Sequence, residues 1–196
     1  MTTAAPSLSP GTSRTSLAPL VPLLVAAVVY VAVMAVGSAL LNDADTYWHI
    51  AAGNWIERNG LPTVDPFSFT FRGQPWIAKE WLSQIVLATA SNSAGWPGVV
   101  VLWSSAIALA CGLLAWFLQR TLYPIAAIVG VAVAFMLVTP HALARPHVLA
   151  LPVMVAWVGT LVRAADEGKD PPYPLLLVMV LWANLHGGFT LGILLV

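Results

Sequence analysis

Two carboxylates one residue apart, Asp43 and Asp45, stand in Leu40-Leu41-Asn42-Asp43-Ala44-Asp45-Thr46-Tyr47-Trp48-His49, directly after an uncharged apolar run from Leu17 to Leu41. Acids held where an apolar helix meets water can deprotonate a hydroxyl, hold a divalent cation such as Mg or Mn, or sit solvated at the membrane edge. Further on, Thr139-Pro140-His141-Ala142-Leu143-Ala144-Arg145-Pro146-His147 sets a guanidinium between two imidazoles. Near the end, Trp182-Ala183-Asn184-Leu185-His186-Gly187-Gly188-Phe189 places an amide and a histidine inside an apolar stretch. A guanidinium is a planar fork of donors suited to phosphate oxygens. Histidines can hydrogen-bond or move a proton, and Tyr47 and Trp48 can stack on a sugar ring or hold a lipid tail.

The elements that must position these residues follow from composition. The chain is 59% hydrophobic and 8% charged, with a mean hydropathy of +0.85. Soluble domains carry about 25% charged residues, so this chain is made for lipid. A net charge of zero argues against a nucleic-acid partner. The lone Cys111 lies in an apolar run and gives no disulfide framework.

Residues 1–16 are rich in Ser, Thr, Pro and Ala with a single charge, Arg14, and predict a disordered tail. The run Leu17 to Leu41 is about 25 residues long, where a signal peptide needs about 7–15 and a membrane span about 20. It predicts a first transmembrane helix. Asn42 to Lys79 is water-exposed. Within it Tyr47 to Ile56 has the spacing of a short interfacial helix, and Asp65 to Gly73 alternates aromatic and small residues as an extended segment. Trp81 to Thr89 is too short to span and fails at Ser91-Asn92-Ser93-Ala94-Gly95, which predicts a re-entrant or interfacial helix. Spans follow at Gly98 to Leu118, Tyr123 to Thr139 and Val148 to Val162, and a fifth runs from Tyr173 to the end. The expected fold is therefore an all-α polytopic membrane protein. It has about five transmembrane helices and an interfacial helix in a first outer loop at 42–96. Residues 17–196 read as the N-terminal part of a longer domain, because the last apolar stretch has no polar flank.

With Trp81 to Thr89 kept out of the crossing count, Arg14, Arg120, Arg163 and Lys169 share one side. The positive-inside rule makes that side, and the N-terminus, cytoplasmic. Asp43, Asp45, His141, Arg145 and His147 share the other side, and Asn184 and His186 fall toward it. Each has a structural role to set against a functional one. Arg145 can snorkel to headgroups, His186 can bond between helices, and Gly187-Gly188 can serve close helix packing. Trp48, Trp55, Trp76, Trp81, Trp96 and Trp103 fit an interfacial belt. Convergence on one face is the functional signal, since ionisable groups at membrane depth are costly. The set suits sugar transfer from a polyprenyl-phosphate donor, with Asp43 or Asp45 as base or metal ligand and Arg145 on the leaving phosphate.

Four stretches carry a resemblance: Asp43-Ala44-Asp45-Thr46-Tyr47-Trp48-His49-Ile50, Gly60-Leu61-Pro62-Thr63-Val64-Asp65-Pro66-Phe67-Ser68, Glu80-Trp81-Leu82, and Trp182 to Phe189. The chain resembles membrane glycosyltransferases of the GT-C class, which include the protein mannosyltransferases, over most of Leu17 to Val196. The resemblance implies a lipid-linked sugar donor, a bacterial inner-membrane location and a catalytic carboxylate in the first outer loop, at Asp43 or Asp45. The residues read from their types and placement as substrate contacts are Tyr47, Trp48, His49, His141, Arg145, His147, Asn184 and His186. Many members have adjacent acids, whereas here Ala44 intervenes. The acceptor is open. Two other readings compete: a transporter or flippase-like protein for a lipid-linked or small polar solute, whose polar groups would lie nearer the bilayer midplane, and a non-catalytic membrane scaffold.

Overall fold

The computed structural model describes residues 20–196, so the tail at 1–16 and the start of the first apolar run lie outside the described residues. The described chain is all-helical, and its only β pairing is one isolated bridge, Val64 with Pro75. In order come α1 (Val21–Ala35), α2 (Gly37–Leu40), α3 (Ala44–Asn59), α4 (Trp81–Leu118), α5 (Pro124–Val138), α6 (Pro146–Asp166), α7 (Leu175–Leu185) and α8 (Phe189–Ile193). A 3-10 turn, Thr139–His141, extends α5.

Among the described residues three helices are long and apolar enough to cross a membrane: α4, α5 with its 3-10 turn, and α6. The first and last predicted spans are shorter than the sequence suggested. The first bends at Val36 (φ −109°, ψ 18°), leaving α1 at 15 residues and a single further turn in α2. The last stops at His186, which is extended (φ −161°, ψ 144°), and Gly187-Gly188 turns the chain into the short α8. Glycine costs a helix about 1 kcal/mol against alanine, and two in succession end this one. Apolar content alone could not place that break.

The predicted failure at Ser91 to Gly95 is present as a kink. α4 is continuous in outline, but Ala94 (φ −143°) and Gly95 (φ +60°, ψ −151°) are non-helical, and Pro97 follows. Only glycine takes that positive φ without strain. The arm at 81–93 begins at Glu80 beside His186, and past the kink Trp96 packs edge-on against Tyr47 at 4.9 Å. Both ends of the arm thus touch elements around the acid pair, and the arm at 96–118 runs down the bundle beside α1. Gly53 of α3 lets the helices meet: a Cβ there would stand 2.1 Å from the Gln84 carbonyl oxygen.

The core is built around α4. Trp103, Leu87, Val99 and Ala115 are wholly buried, and the Trp103 indole donates to the Leu143 carbonyl at 3.1 Å. Hydroxyls along the spans return to their own helix, Ser105 to Val101 and Thr160 to Ala156, each at 2.7 Å. That satisfies polar groups that lipid cannot. The segment at 61–79 is a loop rather than the predicted extended run. Asp65, 3% exposed, accepts the backbone N–H groups of Phe67 (2.8 Å) and Ser68 (2.9 Å) through one oxygen and the Ser68 hydroxyl through the other. An aspartate that offers the backbone such bonds favours a turn over a strand.

Candidate functional site

α3 starts on Asp43, whose side chain accepts the Asp45 N–H at 3.0 Å and caps the helix. α6 starts on Arg145 and α4 on Glu80. Long-range bonds bring these three helix starts together. Ala144 N–H donates to the Leu40 carbonyl at 2.9 Å, and the buried Thr46 hydroxyl donates to the Ala144 carbonyl at 3.0 Å. Ser83 donates to the Leu185 carbonyl and the Trp81 indole to the Asn184 side-chain oxygen, both at 2.7 Å. Acid, guanidinium and imidazole positions more than 100 residues apart are fixed by backbone and side chain alike.

A cavity of about 360 Å³ opens between them, lined by Asp45, Trp48, His49, Glu80, Arg145, Pro146, His147 and His186. Its size is within the range of small-ligand sites. Arg145 spans the acid pair. Its Nε donates to Asp43 Oδ2, one Nη2 contact reaches Asp43 Oδ1 at 3.2 Å, and Asp45 Oδ2 lies 3.1 Å away. The Asp43 side chain is only 6% exposed, while Arg145 keeps 44%. The Arg145 hydrogen bond holds the Asp43 carboxyl below its ordinary range against the opposing effect of burial, and Asp43 in turn pushes Arg145 up. Asp43 is therefore a buried anchor, and Asp45 is the member of the pair that reaches the cavity.

The imidazoles are oriented by their partners. Gln84 Nε2 stands 3.4 Å from His49 Nδ1, and an amide nitrogen can only donate, so His49 carries its proton on Nε2. Burial pushes the His49 imidazole down, with the Asp45 carboxylate opposing. His186 Nδ1 accepts the Gly188 N–H at 3.0 Å, which leaves the proton on Nε2, 3.4 Å from Glu80 Oε1. His147 Nε2 donates to the His141 carbonyl at 2.6 Å, and its ring meets that of His186 at 6.0 Å. Burial pushes the Glu80 carboxyl up, opposed by His147, Lys79 and the Gly187 N–H.

Of the residues singled out from sequence, Asp45, Trp48, His49, Arg145, His147 and His186 line the cavity, and Asp43 stands directly behind it. Tyr47 is 61% exposed and packs on Trp96 outside it. His141 contributes its carbonyl rather than its ring, and Asn184 holds the Trp81 indole. Trp48 is set by Phe67, 4.6 Å away, which also meets Trp55 and Trp76. Phe67 thus gathers three tryptophans, of which Trp48 lines the cavity. Sequence reasoning missed Glu80 and Gln84 as site residues. The signal for Glu80 was available, since an acid directly before an apolar helix is a costly choice unless it is used.

Among the described residues no three His, Cys, Asp or Glu side chains converge to hold a metal ion. Magnesium seeks about six oxygens, and the Asp43 and Asp45 oxygens already face one guanidinium, so the pair as arranged does not fit a divalent cation. No family model, curated protein or solved structure matches the chain.

Proposed function

We propose that this protein is a membrane glycosyltransferase of the GT-C type, which moves a sugar from a polyprenyl-phosphate donor to an acceptor at the outer face of a bacterial inner membrane. The observation that carries the reading is the guanidinium of Arg145, clamped by Asp43 and Asp45 at the mouth of a cavity that also presents Trp48 and three histidines. The starts of α3, α4 and α6 converge there, and helix N-termini favour an anion.

In this reading the exposed part of Arg145 meets the donor phosphate, and Asp43 keeps the guanidinium in place. Asp45 accepts the proton of the acceptor hydroxyl as its oxygen attacks the anomeric carbon. The bond from that carbon to the phosphate oxygen breaks, and the electron pair leaves with the phosphate, where Arg145 offsets the charge. Trp48 offers a face to the sugar. A Mg or Mn ion at the pair would have to displace Arg145, so the reaction is written through protein groups. Charge supports the outer location: Arg120, Arg163 and Lys169 gather at the far end of α6, which the positive-inside rule favours as the cytoplasmic end.

The second reading, a transporter for a lipid-linked solute, is favoured by one feature, the break between α7 and α8 that holds His186. One experiment separates them. The protein in nanodiscs is given a polyprenyl-phosphate-linked hexose, and free polyprenyl phosphate is measured. Release that falls about 100-fold or more in Asp45→Asn and Arg145→Lys supports the enzyme. Movement of the intact lipid-linked sugar across vesicles without cleavage supports the transporter. Neither binding nor cleavage by the unaltered protein leaves a scaffold.

A further inference from the structure

Toward the C-terminal end of α6 a groove of about 570 Å³ lies between that helix and α4. Leu114, Phe117 and Leu118 wall it from α4, and Met154, Val155 and Val158 from α6. The two helices meet closely beside it, since a Cβ on Gly159 would stand 2.4 Å from the Phe117 ring. From Met154 to Asp166 the α6 wall covers about 18 Å at about 1.5 Å per residue. That is about the depth of one leaflet, half of a hydrocarbon core about 30 Å thick.

One end of the groove carries charge of both signs, Arg120 and Arg163 with Asp166 and Glu167. Arg120 lies over the Trp116 ring at 5.6 Å, and Arg120 and Arg163 approach one Glu167 oxygen at 3.6 and 3.0 Å. Lys169 takes the other at 2.8 Å. A guanidinium has five N–H donors, so both arginines keep donors to spare. Among the described residues Asp166 makes no ion pair, and it is exposed. Just beyond the lining, Lys169 and Asp170 add one charge of each sign, so this rim is neutral as a whole.

An apolar trough one leaflet deep, ending in spare guanidinium donors and an unpaired carboxylate, matches a lipid with acyl chains, a phosphate and an ammonium. An anionic lipid would meet Asp166 and Glu167 with no cation of its own to answer them. A choline head group brings its carboxylate partner no N–H donor, whereas a primary ammonium brings three. The groove of about 380 Å³ between α1 and α5, with Val21, Leu24, Val28, Ile128 and Phe135 in its lining, has no charged residue with which to choose a head group.

We propose that the groove between α4 and α6 binds a phospholipid of the phosphatidylethanolamine class. An acyl chain lies along the helices, the phosphate meets Arg120 and Arg163, and the ammonium meets Asp166. This goes beyond the glycosyltransferase reading and does not depend on it. The test is native mass spectrometry of the delipidated protein in detergent, titrated with phosphatidylethanolamine, phosphatidylcholine and phosphatidylglycerol of identical chains. Phosphatidylethanolamine is expected to bind about fivefold more tightly than either of the others, the upper end of what an exposed ion pair supplies. Asp166→Asn should bring phosphatidylethanolamine and phosphatidylcholine within about twofold of each other, and Asp170→Asn, outside the lining, should keep the fivefold preference. Arg120→Gln combined with Arg163→Gln should weaken both lipids by about tenfold through loss of the phosphate contacts. Equal binding of the three lipids to the unaltered protein overturns the proposal, as does tightest binding of phosphatidylglycerol, which would mark an anionic-lipid site. A preference that survives Asp166→Asn, or is lost in Asp170→Asn, also overturns it.

Discussion

The two ends of α6 carry charges of the same kinds and use them differently. At its start Arg145 holds Asp43, whose side chain is 6% exposed, across 102 residues of chain. At its far end Arg163, Lys169 and Arg120 gather on Glu167 at 3.0, 2.8 and 3.6 Å, with every side chain at least 31% exposed. Two of those pairs are local, four and two residues apart, so the helix end makes them with no help from the fold. Exposed pairs are screened by water and contribute little. A buried carboxylate needs its partner, because removing the cation strands a charge away from water. The cavities differ in the same sense. The larger one, about 570 Å³ between α4 and α6, is walled by Leu114, Phe117, Met154 and Val158 with Arg120 and Arg163 at its edge, whereas the smaller one at the acid pair is lined mostly by polar groups.

The sharpest way to break this contrast is Arg145→Ala. It should lower the melting temperature in detergent by about 5 °C or more, because Asp43 loses the group that offsets its burial. Arg145→Lys should recover part of the loss, since a single ammonium cannot reproduce the two-pronged contact. A melting temperature unchanged by Arg145→Ala would mean that the pair is not the lock described.

A smaller effect is expected from pH. Burial holds the His49 imidazole below its ordinary 6.5, so as pH falls the unfolded chain takes the proton first. The His49 contribution is fully present above about 6.5 and declines below it, by at most about 1.4 kcal/mol per pH unit. Melting curves between pH 7.5 and 5.5 should show this decline, and His49→Gln should flatten it. An identical slope in the variant would remove His49 as its source.

The smallest effect should come from the far end. Glu167→Gln removes the shared partner of three cations, yet it should move the melting temperature by no more than about 2 °C. The usual loss of carboxylate stabilisation at low pH should shrink with it, since Lys169 and Arg163 hold the Glu167 carboxyl below its ordinary value. A fall as large as that of Arg145→Ala would erase the distinction between the ends.

Most of the helices were legible because lipid imposes a simple rule: long apolar runs become helices, since nothing else satisfies the backbone. α5 and α6 begin within two residues of the sequence-based starts, and the failure at Ser91 to Gly95 is the kink at Ala94 and Gly95. What hydropathy could not register is where an apolar run stops being helical. Val36 and His186 lie in such runs, and the Ser83 hydroxyl that holds the Leu185 carbonyl at the second break comes from elsewhere in the chain.

The candidate site divides along the same line. Asp45, Trp48, His49, Arg145, His147 and His186 could be chosen from the sequence because polar residues beside apolar helices are expensive to keep. Their gathering at one end followed from span counting and charge bias. That Asp43 is a buried anchor while Asp45 reaches the cavity, that His141 gives a carbonyl and Asn184 a brace, and that Glu80 joins the lining were decided only by tertiary structure. Residue type and order set which groups are available at a membrane edge. Which atom faces the cavity depends on helix phase and on hydrogen bonds between segments about 35 to 100 residues apart, and no local pattern encodes those.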